Sequence, residues 1–226
     1  MSAQICFESA GCLTNLVIMG MSNTPGACGV EVSCGAVHMR DCRLDVWRCH
    51  AVAVCSAGKL EACSCSMHSK TGNGLFVTRG GQAVLSGCSA DKNASSGWVM
   101  NDCGSRLFVH DSSSSRNKLE GACIGFGTSA HIVRCAMNGC KESGLQASDR
   151  GTTVAVDASS ISGNHGPIVY AWGGSATKLS GCRCVNNWCL WYASGEGTTI
   201  TVDAACTITG LLPRCLGYGK NAYLHL

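Results

Sequence analysis

The sequence predicts an all-β fold, a single-stranded parallel β-helix (solenoid) of about eight or nine rungs, each about 22–24 residues long. The segment TTVAVDASSISG at Thr152–Gly163 returns 46 residues later as TTITVDAACTITG at Thr198–Gly210. Half of that interval also recurs, in a column of apolar residues 23 positions apart: Val133, Val156, Leu179 and Val202. Short runs alternate apolar and polar residues, and helical spacing is absent. Units this short bury their apolar faces only by stacking in parallel.

The first strand of each rung follows a recurrent small residue. The earliest copy lies in ICFESAGCLTNLVIMG, and the next two lie in GVEVSCGAVHM and AVAVCSAGKLE. Opening glycines then step by 23, 24 and 23 residues, at Gly74, Gly97, Gly121 and Gly144. Each of them begins a strand-like run: GLFV, GWVM, GACI and GLQA. Leu145, Ile168 and Leu190 continue the column of first strands.

A third element follows the second strand of each rung. Its apolar positions form another column: Leu44, Met67, Met137, Ile161, Val185 and Ile208. Gly, Ser, Asn and Asp separate the runs, as expected for turns. Each rung is therefore predicted to hold two or three short strands joined by tight corners.

The 19 cysteines are best explained as small buried residues. Their number is odd and no export signal is visible, so we expect reduced thiols in an intracellular, cytoplasmic protein. Six of them follow or end a second strand: Cys42, Cys63, Cys88, Cys135, Cys182 and Cys206. Ser112 and Ala158 occupy similar places in other rungs. A column that interchanges Cys, Ser and Ala indicates a position of small volume at a corner.

The composition excludes two classes of partner. The net charge is +3, from 17 basic and 14 acidic residues, and no two basic residues are adjacent, so a nucleic-acid partner is not indicated. The apolar run Leu16–Met19 is too short to span a bilayer, so we expect no membrane partner.

The chain is expected to form one domain over residues 1–226, with rungs over about 4–210. Residues 211–226, LLPRCLGYGKNAYLHL, follow the last repeat and are predicted to cap it, with Pro213 ending strand pairing. Alternation begins by Ile5 and Phe7, which leaves about four residues for an N-terminal cap. We therefore expect an open first rung, completed by a protein partner or by self-association.

The order of residues within a rung resembles that of a known superfamily. Runs of the form G-L/V-x-V are followed by T-x-V-x-V-D/G-C/S and by a turn holding asparagine, at Asn93, Asn138, Asn164 and Asn186. This pattern resembles the right-handed parallel β-helix superfamily, the pectate-lyase-like proteins and the related sugar-hydrolase-type β-helix repeats. The resemblance implies a right-handed coil and extends over nearly the whole chain. It also implies a possible activity on polysaccharides, although the pattern specifies a fold rather than one activity.

We considered two sets of catalytic candidates. Asn164-His165-Gly166 is similar to the His-Gly turn of the galacturonases, but the adjacent Asp pair of such sites is missing, and a turn residue facing water is the simpler interpretation of His165. Asp111, Arg134, Asp157, Ser180 and Asp203 lie 23 residues apart and are expected to stack. Alternate carboxylates would then be about 9–10 Å apart, near the spacing of inverting glycosidases. The alternative is a surface ladder in which Arg134 bridges Asp111 and Asp157.

Aromatic residues are concentrated in the last rungs. Trp172, Trp188 and Trp191 are candidates for a ligand-binding platform, together with Tyr170 and Tyr192. The alternative places the two tyrosines inside the coil, stacked with Ile168 and Leu190.

No cofactor or metal is expected. The pairs Cys63-Ser-Cys65 and Cys182-Arg-Cys184 lack the spacing and the partner ligands of a zinc site.

Two functions remain open on the sequence alone. One is a non-enzymatic scaffold or recognition module with a structural or protein-binding role. The other is a polysaccharide hydrolase or lyase, or a carbohydrate-binding protein, that uses the face of Asp111, Asp157 and Asp203.

Overall fold

The computed structural model describes residues 5–20, 28–47, 49–210, 216–218 and 223–225. Within these ranges the chain forms 25 short strands and no helix. In chain order, the strands are β1 (Ile5–Phe7), β2 (Gly11–Thr14), β3 (Val17–Gly20), β4 (Val30–Val32), β5 (Ala36–Arg40), β6 (Arg43–Val46), β7 (Val52–Val54), β8 (Lys59–Cys63), β9 (Ser66–Ser69), β10 (Leu75–Val77), β11 (Gln82–Ser86), β12 (Trp98–Met100), β13 (Arg106–His110), β14 (Ala122–Ile124), β15 (Ser129–Val133), β16 (Leu145–Ser148), β17 (Thr153–Asp157), β18 (Pro167–Trp172), β19 (Ala176–Ser180), β20 (Arg183–Val185), β21 (Cys189–Ser194), β22 (Thr199–Val202), β23 (Thr207–Thr209), β24 (Leu216–Tyr218) and β25 (Tyr223–His225).

The strands build three faces of one coil. Face 1 is a ten-stranded sheet, β1-β4-β7-β10-β12-β14-β16-β18-β21-β24, and face 2 is a second one, β2-β5-β8-β11-β13-β15-β17-β19-β22-β25. Face 3 holds β3-β6-β9 and β20-β23, and single-residue bridges connect these two groups. Pairing is parallel between successive rungs, as between β13, β15 and β17. The structure is the predicted β-helix, with about nine turns.

Apolar side chains from successive rungs form continuous columns inside the coil. On face 2 the central column is fully or almost fully buried: Leu85, Val109, Ile132, Val156, Leu179 and Val202. The sequence period was wrong at one member, because Ile132 rather than Val133 faces inward and pairs with Val156. On face 3, Cys184 rather than Val185 lies in the core and pairs with Ile208. The coil therefore keeps its columns while the rung length varies by one residue.

A left-handed backbone conformation makes the corner between face 2 and face 3. One residue per rung has a positive φ there, including Ser64 (54°), Arg134 (50°) and Ala158 (47°). Because this residue reverses the direction of the chain, the residue after it points into the core.

The column of small residues at this corner differs from the predicted one by two members. It contains Cys42, Cys65, Cys88, Ser112, Cys135, Ser159, Cys182 and Cys206. Cys63 is the last residue of β8 and Ala158 is the corner residue itself, so neither enters the column. Each rung is linked to the next here: the Cys88 amide donates to Ser112 Oγ at 3.0 Å, and the Cys135 amide to Ser159 Oγ at 3.0 Å.

Asparagines stack at the turn that leads into face 1. The Asn164 amide and its side-chain Nδ2 both donate to Asn187 Oδ1, at 3.0 Å each. Asn93 makes the same two contacts with Asn117 Oδ1, at 2.8 and 3.1 Å. Of the four predicted turn asparagines, Asn93 and Asn164 belong to this buried column. Asn138 and Asn186 lie outside it, because each stands on an outward-facing position of its turn.

The coil continues beyond the predicted end of the repeat. The sequence predicts rungs to about residue 210 and a cap over 211–226, but two further strands lie in that segment. Strand β24 pairs in parallel with β21, and β25 pairs in parallel with β22. Alternation is too short in GYG and YLH to be recognised as strand from the sequence. The other residues of the expected cap, 211–215, 219–222 and 226, lie outside the described residues.

The described part of the chain offers no helix that is long and apolar enough to cross a membrane.

Candidate functional site: an aromatic and acidic cleft

The predicted column of Asp111, Arg134, Asp157 and Asp203 is divided between two positions. Asp111 and Arg134 stand at the corner, and the rung after them brings Ala158 to that position. Asp157 instead ends β17 and pairs with Val133 and Ser180. The column breaks here because Val133 and Asp157, which are 24 residues apart, are partners, so the period of 23 fails by one residue.

Each of the three carboxylates on this side of the coil is held by a structural partner. Arg134 Nε and Nη2 donate to Asp111 Oδ1 and Oδ2 at 2.7 and 2.8 Å, and His131 Nε2 lies 2.6 Å from Asp157 Oδ2. Asp203 Oδ1 accepts from the Gly181 amide at 3.0 Å and from the Ala205 amide at 3.1 Å.

The electrostatics of these groups also differ from those of a catalytic acid. Hydrogen bonds from Arg134 and His110 hold the pKa of Asp111 well below its ordinary value. Hydrogen bonds from Gly181 and Ser180 lower the pKa of Asp203. A general acid in glycoside hydrolysis needs a raised pKa, so this face lacks the property that the enzymatic interpretation requires.

His165 lies on an exposed turn, in agreement with the simpler of its two interpretations. Its amide donates to the Cys140 carbonyl at 3.0 Å. Its neighbours in a shallow depression are Gly163, Asn164, Asn186 and Trp188. This depression contains no carboxylate, so the structure gives His165 no partner for acid–base chemistry within it.

The aromatic candidates separate into buried and exposed positions. Trp191 is 3% exposed and belongs to the core, so it is excluded from any surface platform. Trp188 is 54% exposed on the turn before β21. Trp172 is half-buried at the end of β18, with its ring 4.9 Å from that of Tyr170.

Tyr170 and Tyr192 stack on the outside of the coil rather than inside it. Their ring centroids are 4.6 Å apart with an interplanar angle of 35°. The alternative interpretation was right about the stacking and wrong about the side. Strand β18 buries both Ile168 and Val169, which shifts the alternation by one residue and turns Tyr170 outward.

These two tyrosines form the floor of a cleft of about 370 Å³. Its floor continues onto Gln146, because Gln146, Tyr170 and Tyr192 occupy the same outward position in β16, β18 and β21. Trp188 and Glu142 stand on the turns beside it, and Glu120 precedes β14. Burial and the neighbouring Tyr192 raise the pKa of Tyr170, so its phenol stays protonated at neutral pH and can donate a hydrogen bond.

Both acids of the cleft were missed in the sequence. Glu120 is half-buried and accepts a hydrogen bond from Ser96 Oγ at 2.6 Å. Glu142 is exposed, and its carboxylate makes no hydrogen bond or ion pair with the described residues. A signal for Glu120 was present, because it immediately precedes the opening glycine Gly121, as Ser96 precedes Gly97. That position could have been recognised as a second outward column at the edge of face 1.

No site for a metal ion is evident. Over the described ranges, no group of three or more His, Cys, Asp or Glu side chains is placed to hold one. The two members of Cys63-Ser-Cys65 are separated by the corner, with Cys65 in the core and Cys63 outside it.

The parallel coil with an open cleft on its surface defines a β-solenoid protein. The family model described as a right handed beta helix region matches residues 9–184, which is more than half of the chain. The chain therefore belongs to the right-handed β-helix family. No curated protein matches it. The trypsin-treated structure of QnrB1, "a plasmid-mediated fluoroquinolone resistance protein", aligns at 13% identity over 87% of this chain and 92% of that one. The TM-score of that alignment is 0.20, a value that supports no conclusion about this chain.

Proposed function

We propose that this β-helix is a non-enzymatic recognition module that binds a carbohydrate in the aromatic and acidic cleft. The observation that carries the proposal is the outward stack of Tyr170 and Tyr192 on the floor of that cleft. Aromatic faces bind the apolar face of a sugar ring, and a concave site with a few polar groups gives orientation.

The polar groups of the cleft match the hydroxyl groups of a sugar. Glu120 and Glu142 offer carboxylate oxygens that accept hydrogen bonds, and Gln146 offers both a donor and an acceptor. Trp188 is more than half exposed beside them, so its ring is available to a ligand. Large exposed aromatic side chains are otherwise costly on a soluble surface, and they commonly mark binding sites.

Binding without cleavage is supported by the surroundings of the two acids. Glycoside hydrolysis needs one carboxyl group in an apolar environment that keeps it protonated. Glu142 is exposed to water, and Glu120 accepts a hydrogen bond from Ser96, which favours its charged form. The acids on the opposite flank are occupied by Arg134, His131 and backbone amides.

A glycan array, followed by calorimetry on the best ligand and an assay for released reducing ends, tests the proposal. We expect binding without release, and we expect Trp188→Ala or Tyr192→Ala to weaken binding about tenfold or more. Trp47→Ala is the matched control, since Trp47 is 44% exposed and lies outside the cleft, near Lys70. Release of reducing ends, absence of glycan binding, or an equal loss in Trp47→Ala would each contradict the proposal.

A further inference from the structure

The charge of the cleft is one-sided. Its lining contains two carboxylates, Glu120 and Glu142, and no Lys, Arg or His side chain. The chain as a whole is slightly basic, at +3, so this local excess of negative charge is not a consequence of composition. The nearest basic residues in sequence, Lys118 and Lys141, lie on the adjoining turns and do not line the cleft.

We propose that the sugar held in this cleft carries a positively charged amine, as in an unacetylated 2-amino-2-deoxyhexose residue. This inference rests on the proposed function and adds the charge class of the ligand. Carboxylates pair with an ammonium group through charge-assisted hydrogen bonds. Aromatic faces attract the same cation through their quadrupole, so Tyr170, Tyr192 and the two acids favour one ligand charge together.

The arrangement of the polar groups supports an amine rather than hydroxyl groups alone. Glu120 already has one oxygen, Oε2, engaged by Ser96 Oγ, which leaves Oε1 for a ligand. Glu142 makes no hydrogen bond or ion pair within the described residues. An ammonium group has three N–H donors and no acceptor, so it suits a cleft whose charged groups are acceptors only.

The same charges discriminate against acidic polysaccharides. A uronate residue would place its own carboxylate beside Glu120 and Glu142, with no arginine or lysine in the lining to compensate. Like charges brought together in a partly desolvated site lower affinity. Uronate polymers of the kind that the pectate-lyase-like resemblance suggests are therefore expected to bind least.

Calorimetry with three matched oligosaccharides tests the inference: oligomers of 2-amino-2-deoxyglucose, their N-acetylated form and the plain glucose oligomer. We expect the amine form to bind about tenfold more tightly than the other two at low salt, and the advantage to shrink as salt screens the ion pairs. Glu120→Gln and Glu142→Gln should each reduce the affinity for the amine form about threefold to fivefold while leaving the N-acetylated form nearly unchanged. Glu196→Gln is the control, because Glu196 is exposed and lies outside the cleft.

The outcomes separate this inference from the proposed function. Equal binding of the three oligomers would overturn the inference and leave a carbohydrate-binding cleft in place. Absence of binding to all three would overturn the inference, and together with a negative glycan array it would overturn the proposed function. Tighter binding of a lysine-rich peptide than of any oligosaccharide would also overturn the inference, because the cation would then belong to a protein.

Discussion

Arg134 holds the carboxylate of Asp111 at two points, with Nε 2.7 Å from Oδ1 and Nη2 2.8 Å from Oδ2. Both residues occupy the left-handed corner position in successive rungs, with φ values of 50° and 51°. The pair thus joins two rungs on the outside of the corner, while Ser112 and Cys135 stack beside it on the inside. Of the charge ladder predicted from the sequence, this contact is present and the contact of Arg134 with Asp157 is replaced by that of His131.

The first prediction concerns the pH dependence of this ion pair. Arg134 and His110 lower the pKa of Asp111 in the folded state, so the pair contributes stability above the unfolded pKa of about 3.9. That contribution is lost as the pH falls below this value toward the folded pKa. Arg134→Gln should therefore lower the urea midpoint at pH 7, and its difference from the wild type should shrink below about pH 4.

Lys178→Gln is the control for this experiment, because Lys178 is an exposed cation on face 2 with no ion pair among the described residues. A difference between Arg134→Gln and the wild type that stays constant from pH 7 to pH 3 would contradict the prediction.

The second prediction compares two neighbours on β17. Val156 is fully buried in the central column, whereas Asp157 is outward and partly exposed beside His131. Val156→Asp should lower the free energy of unfolding by about 3–5 kcal/mol or prevent folding, because it buries an unpaired charge. Asp157→Ala should cost less than about 1 kcal/mol, as expected for an exposed ion pair. Chemical denaturation of both variants gives the comparison, and equal losses would show that the inward and outward assignment is wrong.

The sequence predicts the fold well because a stacked coil repeats the same physical requirement in every rung. Inward positions such as Val156 and Leu179 must be apolar and corner positions must be compact, so both requirements leave periodic patterns. The errors occur where rungs change length by one residue. The step from Val133 to Asp157 moved the acidic column, and the extra buried residue at Ile168 turned Tyr170 outward.

The cleft could be predicted only in part. The concentration of aromatic residues in the last rungs indicates a platform, and Trp188 lies in it. Trp191 was misassigned because a tryptophan in a short alternating run gives no sign of which side it faces. Glu120 and Glu142 were missed because they stand on turns, where no period-2 pattern exists and the register depends on the bonding of adjacent rungs. The adjacent pair Asn186 and Asn187 shows the same difficulty: only Asn187 is buried, and the sequence cannot distinguish them.

The third prediction concerns the thiols. Cys42, Cys65, Cys88, Cys135 and Cys182 are buried in the corner column and form no disulfides. Burial raises the pKa of the Cys182 thiol to about 11, and it also raises the pKa of Cys135, so neither forms appreciable thiolate at neutral pH. We expect iodoacetamide to label the exposed thiols of the native protein while the corner column reacts only after unfolding. The exposed thiols are Cys6, Cys12, Cys34 and Cys103.

Mass spectrometry of native and denatured samples counts the labels at each cysteine. Rapid labelling of Cys88 or Cys135 without denaturant would contradict the packing of the corner, as would the recovery of either residue in a disulfide.

The last prediction concerns the first rung, which we expect to associate with a second copy of this chain. Strand β1 pairs with β4, and within the described residues no strand lies on its other side. Ile5 donates its amide to the Gly29 carbonyl at 3.2 Å, and Phe7 accepts from the Ser33 amide at 3.0 Å. Because successive residues of a strand bond in opposite directions, the backbone of Cys6 faces the open side. An unpaired edge of this kind is a template for another strand.

Cys6→Pro removes the amide hydrogen that such pairing would use and leaves the bonds of Ile5 and Phe7 to the next rung intact. In reducing buffer, light scattering of the wild type should therefore show a concentration-dependent increase in mass that Cys6→Pro reduces strongly. Cys6→Ala is the matched control, because it removes the thiol and keeps the amide, and it should associate like the wild type. Ile5→Pro should instead lower the melting temperature, since that amide bonds within the coil. A wild type that stays monomeric at high concentration, or one whose association is indifferent to Cys6→Pro, would contradict the prediction and show that this edge is covered by the chain itself.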